Sequence, residues 1–261
     1  MELVISKLCG AVWVGNMPCC RVMKGIKHSP LPNESPSVRR FLQAIKDIFR
    51  SYNATFGPAF KDEADRALGE AHFWYHDHHM LRHPWANERE FATGAWRANQ
   101  PNPERIADYA KRGIKSILTL RGSANLSHFL FEKEACAAHG IALTSIALSA
   151  RNAAPKEEYL ALLDHFEAIE KPFLIHCKSG ADRTGIAAAF YLLHMENARL
   201  SDARGQLSWK YLHLRWTKTG ILDAILDSYE RDLNAHGPIP LRDWLSLYYD
   251  RDAVTAAFHK R

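Results

Sequence analysis

Apolar residues along the chain change period at several points. Residues 28–36 (HSPLPNESP) form a Pro/Ser/Asn break. Beyond it Val38, Phe41, Leu42, Ile45, Ile48 and Phe49 recur at helical spacing and predict an amphipathic helix of about three turns. Its polar face carries Arg39, Arg40, Lys46 and Arg50. That face suits either a helix packed on a larger domain or one lying on a membrane surface. From about residue 88 strands and helices alternate. Residues 90–99 read as an extended pair running into the turn Gln100-Pro-Asn-Pro103. A helix is expected over 103–112 and a short apolar strand over 114–120, ending at Arg121-Gly122. A helix over 126–139, stopped by Gly140, and a strand over 141–148 follow. The helix expected over 155–170 has Pro in its first turn, and 172–175 is a strand apolar enough to be buried on both faces. A polar loop then leads into a helix through residues 186–193. Residues 200–235 predict two helices, and the tail after Pro238-Ile239-Pro240 one more.

This order predicts an α/β fold, a mainly parallel twisted sheet of about four to five strands flanked by helices. The chain divides into a poorly ordered leader (1–35), a helical and loop extension (36–87), the α/β domain (88–235) and a helical tail (236–261). Ligands in such sheets sit at the carboxyl ends of the strands.

With 261 residues, 47% hydrophobic and 24% charged, the chain can bury one good core and does not read as disordered. A net charge of +5 mildly favours anionic partners and equally suits a slightly basic soluble protein. The five cysteines, at 9, 19, 20, 136 and 177, are odd in number and irregular in spacing. They imply neither a disulfide framework nor a CxxC zinc site, and they fit a reducing compartment. The apolar run from Leu8 to Val14 is too short to span a membrane. Gly15-Asn16 interrupts it, and Cys19-Cys20 is no cleavage site, so the expected location is cytoplasmic.

The chemistry concentrates in His176-Cys177-Lys178-Ser179-Gly180-Ala181-Asp182-Arg183-Thr184-Gly185. A free thiol has a pKa of about 8.5. At a helix N-terminus, beside an arginine and under backbone amides, it falls to roughly 3.5–7.5 and the thiolate becomes a nucleophile. Five residues separate Cys177 from Arg183, enough to curl around one tetrahedral oxyanion with the N–H groups inward. Lys178, Ser179, Gly180 and Ala181 are the expected binding residues, and Gly180 and Gly185 relax the backbone where the loop is tight. Arg183 suits a bidentate grip on phosphate oxygens. The Thr184 hydroxyl suits a thiolate as it leaves, and His176 suits a loop-ordering hydrogen bond.

With these residues the loop resembles that of the protein tyrosine phosphatase superfamily, His-Cys-x5-Arg-Ser/Thr. Its Gly-x-Asp-Arg-Thr-Gly form is similar to bacterial dual-specificity-like phosphatases. The stretch Phe91-Ala-Thr-Gly-Ala-Trp-Arg-Ala-Asn-Gln-Pro-Asn-Pro103 resembles that family's opening, and Gly113-Ile-Lys-Ser-Ile-Leu-Thr-Leu-Arg-Gly122 its following strand. The resemblance covers about residues 70–235. It implies a cysteine phosphatase fold over 88–235, a two-step reaction through phosphocysteine, and no metal or cofactor. The expected partner is a phosphorylated protein or small molecule, with no nucleic acid.

The pattern departs from the family at one point. Most members carry a general-acid Asp on a separate loop, some thirty or more residues before the cysteine. Here no Asp lies between Arg121 and Leu163. Asp182 is the best remaining acid, with orientation of Arg183 or helix capping as the structural alternative. Glu132, Glu134 and His128 are lesser candidates. Loss of turnover, leaving a phosphate-binding module, is the alternative function.

Three further features carry alternatives. Arg97, Arg121 and Arg151 fall at predicted strand ends, where they either extend the anion pocket or are surface or salt-bridged arginines. The run His72-Phe-Trp-Tyr-His-Asp-His-His-Met-Leu-Arg-His83 is either a wall of the site, through Asp77, His78 and Arg82, or a structural loop, with metal binding the weaker reading. The basic and aromatic segment 208–218 is either core or a contact for substrate, nucleic acid or a peripheral membrane surface.

Overall fold

The computed structural model describes residues 40, 43, 45–47 and 54–260. The chain forms two compact units, Met1–Gln43 and Ala44–Arg261. In the first, residues 40 and 43 are described, and both are helical. The expected leader over 1–35 lies outside the described residues, as does most of the helix predicted over 38–50.

In the second unit, residues 45–47 are helical, and α1 (Glu63–Ala71), a single π turn (His72–His76) and the short α2 (His79–Arg82) follow. The Asp62 carboxylate caps α1 by accepting from Asp65 N at 2.8 Å. A hairpin follows, β1 (Arg89–Ala92) and β2 (Ala95–Ala98). Then come α3 (Pro103–Lys111), β3 (Ser116–Thr119), α4 (Ser127–Ala138), β4 (Ala142–Ser145), α5 (Lys156–Ala168) and β5 (Phe173–His176). The chain continues through α6 (Asp182–Met195), α7 (Leu200–Arg204), two 3-10 turns, α8 (Ile221–His236), α9 (Leu241–Leu247) and α10 (Arg251–His259). The five strands lie in the order β1-β2-β5-β3-β4, and all neighbours are parallel except the β1-β2 hairpin. The expected α/β architecture is therefore present.

The tail departs from expectation. It holds two helices, not one, because Asp250 starts a second by accepting from Asp252 N at 2.8 Å and Ala253 N at 3.0 Å. Trp244 of α9 is fully buried and donates its Nε1–H to Asp232 at 2.7 Å, so the tail belongs to the core.

Alternation along the buried strands serves two cores. Leu118, Phe173 and Ile175 pack with α5, α6, α8 and α9 on one face. Ile117 and Leu174 pack with Ile106, Tyr109, Ala135 and Cys136 on the other. The central β5 has no polar face because both of its sides are covered. In α6, Ala187–Ala189 are fully buried, and their small side chains let the helix lie close to its neighbours. His176, the last residue of β5, pairs with Ala98 on one side and Thr119 on the other. The loop that follows thus leaves the sheet between the ends of β2 and β3.

Candidate active site

Every outward carbonyl of the Cys177 loop meets a donor. Lys178 O accepts from Gln100 N at 3.2 Å and from Arg82 Nη1 at 2.9 Å. Ser179 O accepts from Asn87 Nδ2 at 3.1 Å. Gly180 O accepts from Arg97 Nη2 at 2.7 Å. Ala181 O accepts from Gly185 N at 3.1 Å, the first turn of α6. With the carbonyls turned out, the opposite edge of each peptide turns in. The N–H groups of Lys178, Ser179 and Gly180 donate to no backbone carbonyl among the described residues. Such a concavity of N–H groups at the start of a 14-residue helix attracts an anion.

Cys177 sits inside this ring and is buried. Burial alone would raise its thiol pKa. The Arg183 charge, the Thr184 hydroxyl and the N–H groups of Thr184 and Gly180 outweigh that, and the net shift is downward. The Thr184 hydroxyl is buried without an oxygen or nitrogen partner, which leaves it for the sulfur. Arg183 is held by one bond, from Nη1 to Leu120 O at 3.2 Å, and its buried Nε has no acceptor among the described residues. A guanidinium with unspent N–H groups beside a low-pKa thiol fits a phosphoryl group. Gly180 has φ +72°, and Gly185 lets α6 approach residues 206 and 207, where an added Cβ would lie 2.7 Å from Leu207 Cδ2. The Ser179 hydroxyl accepts from Ala181 N at 3.4 Å and so belongs to the loop's own framework.

A charged network backs the loop. Asp77, buried, takes Arg121 on Oδ1 and Oδ2 and Arg82 on Oδ2, with Lys178 Nζ at 3.7 Å. Burial opposes ionisation of Asp77, but Arg121, His128 and Arg82 overcome it and hold the carboxyl well below the usual carboxylate range. Arg121 also donates to Gln100 Oε1 at 2.8 Å, and Gln100 Nε2 donates to Glu132 at 2.9 Å. The other Glu132 oxygen accepts from His176 Nε2, and both side chains are fully buried. His78 sits at φ +60° with its Nδ1 3.2 Å from Lys178 Nζ. The His72–His83 run is therefore wired to the loop through Asp77 and Arg82. No group of three or more metal-ligating side chains comes together among the described residues.

This network carries a stability prediction. Asp77→Ala leaves the buried guanidiniums of Arg82 and Arg121 without their counter-ion, at a cost of about 3–5 kcal/mol in urea denaturation. Because Asp77 titrates below its ordinary value when folded, its contribution is complete above the ordinary carboxylate range. It is lost as pH falls through the depressed value. An Asp77→Ala protein as stable as the parent at neutral pH would sink this reading.

Asp182 opens α6, and its Oδ1 accepts from His213 Nδ1 at 2.8 Å. His213 Nε2 donates to Asp223 at 2.7 Å, and the imidazole is buried. Burial disfavours its charge, but bonds to both carboxylates raise it to about 9. Asp182 thus faces a charged imidazolium held from behind. The lesser acid candidates have other contacts. Glu132 is committed to His176 and Gln100, and Glu134 pairs with Arg66. Burial and the Arg121 charge push His128 down to about 3, so it is neutral.

The three strand-end arginines separate. Arg97 is fully buried with its guanidinium 3.6 Å from the Tyr211 ring centre. It donates to Gln206 O, Gln206 Oε1 and Gly180 O, so it braces the loop from behind and does not widen an anion pocket. Arg121 is salt-bridged to Asp77, a carboxylate it shares with Arg82 and Lys178, so three cations face one anion there. Arg151 lies exposed in the turn at 149–152 with no ion pair among the described residues. Sequence reasoning missed Asn87, Gln100 and His213 as loop partners, and nothing in their local sequence marks them. Cys136 belongs to the opposite core from Cys177, and burial pushes its thiol up. It is not a partner for the nucleophile.

Residues 137–199 match the sequence model of the tyrosine phosphatase family. The family resemblance read from the loop holds over that stretch. Comparison with curated proteins finds no match. Among solved structures, the chain is similar to TpbA of P. aeruginosa at 18% identity and a TM-score of 0.46, over 67% of this chain and 92% of that one. It is similar to the catalytic domain of the PP-IP phosphatase SIW14 of S. cerevisiae, in complex with citrate, at 19% identity and a TM-score of 0.45. That match covers 57% of this chain and 91% of the other. A putative phosphatase of Shewanella putrefaciens aligns at 16% identity and a TM-score of 0.44, over 57% of this chain and 97% of its own.

Proposed function

We propose, from the premise that residues 137–199 are a tyrosine phosphatase family segment, that the chain hydrolyses phosphate monoesters through a covalent phosphocysteine. One observation carries the reading. A buried thiol is nonetheless driven toward thiolate, beside an arginine whose Nε is unspent and within a loop whose carbonyls are all tied outward. In the first step Cys177 Sγ attacks phosphorus, the P–S bond forms, the ester P–O bond breaks, and the leaving oxygen takes a proton. In the second step water attacks phosphorus, the P–S bond breaks, and inorganic phosphate and the thiolate are released. Arg183 and the loop N–H groups of Lys178, Ser179 and Gly180 hold the equatorial oxygens in both steps. Thr184 steadies the thiolate as it leaves.

The proton comes from the Asp182–His213 pair. His213 carries it at neutral pH, and its hydrogen bond shares it with Asp182, the residue beside Arg183. Asp182 takes it to the leaving oxygen and recovers one from the attacking water. The substrate is a phosphorylated protein or a phosphorylated lipid or sugar, and Arg151, exposed without an ion pair among the described residues, is a candidate contact for a second anionic group.

An alkoxide leaving group needs this proton more than an aryl oxide does. Asp182→Asn should lower kcat on an alkyl phosphate by about 10²–10⁴ and on a nitrophenyl phosphate by less than about tenfold. Alkyl turnover should also fall as pH rises through about 9, where His213 loses its proton, and His213→Gln should remove that limb. Equal losses on both substrates would sink the acid assignment. No turnover of either substrate by the unaltered protein would leave a phosphate-binding module instead.

A further inference from the structure

We propose that residues 208–218 form a docking surface for an anionic lipid bilayer, placed at the rim of the Cys177 loop. The segment leaves the core twice. Tyr211 and His213 are buried, while Trp209, Leu212 and Trp216 stand 66%, 47% and 78% exposed. The two indoles lie nearly parallel, with ring centres 6.5 Å apart and an interplanar angle of 22°. Solvent gives no reason to display this much aromatic surface, and large exposed apolar patches mark interaction sites. Leu212 adds an independent sign. It sits at φ +60°, a conformation unfavourable for a bulky side chain, at the point where it projects outward.

The anchors of the segment place this surface beside the site. Asn87 Nδ2 bridges Tyr211 O and Ser179 O, both at 3.1 Å. His213 holds Asp182 at 2.8 Å, and Tyr211 lies against Arg97, which holds Gly180 O. The displayed residues therefore alternate with residues fixed to the loop. A second apolar pair, Met80 and Leu81, is exposed next to Arg82, which holds Lys178 O. Each of the two patches is joined to the loop by a hydrogen bond from a neighbouring residue.

Charge selects the occupant. Residues 208–218 contain Lys210, Arg215 and Lys218 and no acidic residue. Arg215 is paired with Asp227 at 3.0 Å, while Lys210 and Lys218 are exposed without an ion pair among the described residues. Tryptophans with an apolar body and a polar N–H, flanked by lysines that have no acidic partner among the described residues, match the headgroup layer of an anionic membrane. A peptide would need an enclosing groove, and two indoles about two-thirds or more exposed do not line one.

The test is co-sedimentation of the full chain with phosphatidylcholine vesicles, with and without phosphatidylglycerol. The expected result is binding to the anionic vesicles that weakens with added salt, and little binding to the neutral ones. Trp209→Ala/Trp216→Ala should lower the partition coefficient by about tenfold or more, and Lys210→Gln/Lys218→Gln by about tenfold. Circular dichroism and turnover of a soluble aryl phosphate should be unchanged in both variants. No binding of the parent to anionic vesicles would overturn the proposal. So would a tryptophan variant that partitions like the parent, or one that loses only phosphopeptide turnover. The vesicle measurement does not depend on turnover, so it can fail while the phosphatase reading stands, and the reverse.

Discussion

Cys177→Ser should lower kcat on an aryl phosphate by on the order of 10⁵-fold while leaving the affinity for inorganic phosphate nearly unchanged. The separation follows from the division of labour in the loop. In the proposed mechanism affinity rests on Arg183 and the inward N–H groups, which a hydroxyl in place of the thiol does not disturb. Chemistry rests on a sulfur anion, and a serine hydroxyl in the same place stays protonated. In the unaltered protein the thiol is depressed by Arg183 and Thr184 against the opposing effect of burial. The limb of kcat/KM assigned to Cys177 should therefore lie below the ordinary thiol value of about 8.5. Substantial turnover by the serine variant, or phosphate affinity lost together with turnover, would remove Cys177 from the centre of the mechanism.

Gly180→Ala should be nearly as damaging by a different route. Gly180 adopts φ +72°, and a Cβ there would lie 2.6 Å from Ala98 O, 2.7 Å from Ala98 C and 2.8 Å from Asn99 N. All three are backbone atoms at the end of β2, so none can swing aside. The left-handed conformation costs a side chain about 1–2 kcal/mol. The clash adds to it, for a total of about 3 kcal/mol or more in denaturant unfolding. Displacing the loop by a fraction of an ångström should also lower kcat/KM by about 10²-fold. Gly140→Ala is the control, because Gly140 has φ +67°, close to that of Gly180, with nothing within 4 Å of an added Cβ. It should show the conformational cost alone and leave turnover intact. Equal effects at both positions would mean that contact with β2 is not what makes Gly180 necessary.

What could be read from the sequence was chemistry carried by neighbours in the chain. The order of strands and helices followed from apolar runs broken by Gly and Pro, because each element's period is local. The loop was legible for the same reason, since Cys177, Gly180, Arg183 and Thr184 lie within eight residues. The scaffold behind it was not. Arg97 at a strand end read as either an anion-binding group or a surface or salt-bridged arginine. Only the fold brings Gln206 and Tyr211 onto it, from more than a hundred residues away, and turns it toward carbonyls. Asp77 lies 44 residues from Arg121, and nothing near either residue announces the other. Asp182 could be named as the candidate acid. Its partner His213, 31 residues on, sits in a segment that read as either core or a surface contact, with nothing to single out the histidine.

The outward carbonyls of the Cys177 loop have a consequence for where the functional unit begins. Two of the side chains that hold them, Arg82 and Asn87, precede the first strand of the sheet. A boundary drawn by secondary structure at residue 88 would separate the loop from two of the three side chains, Arg82, Asn87 and Arg97, that hold its carbonyls. It would also remove Asp77, the counter-ion of Arg121, which the shorter piece retains. The unit that must be inherited, transplanted or expressed together is therefore longer than the α/β layer it contains. Its α1–α2 segment is part of the mould in which the anion site is cast.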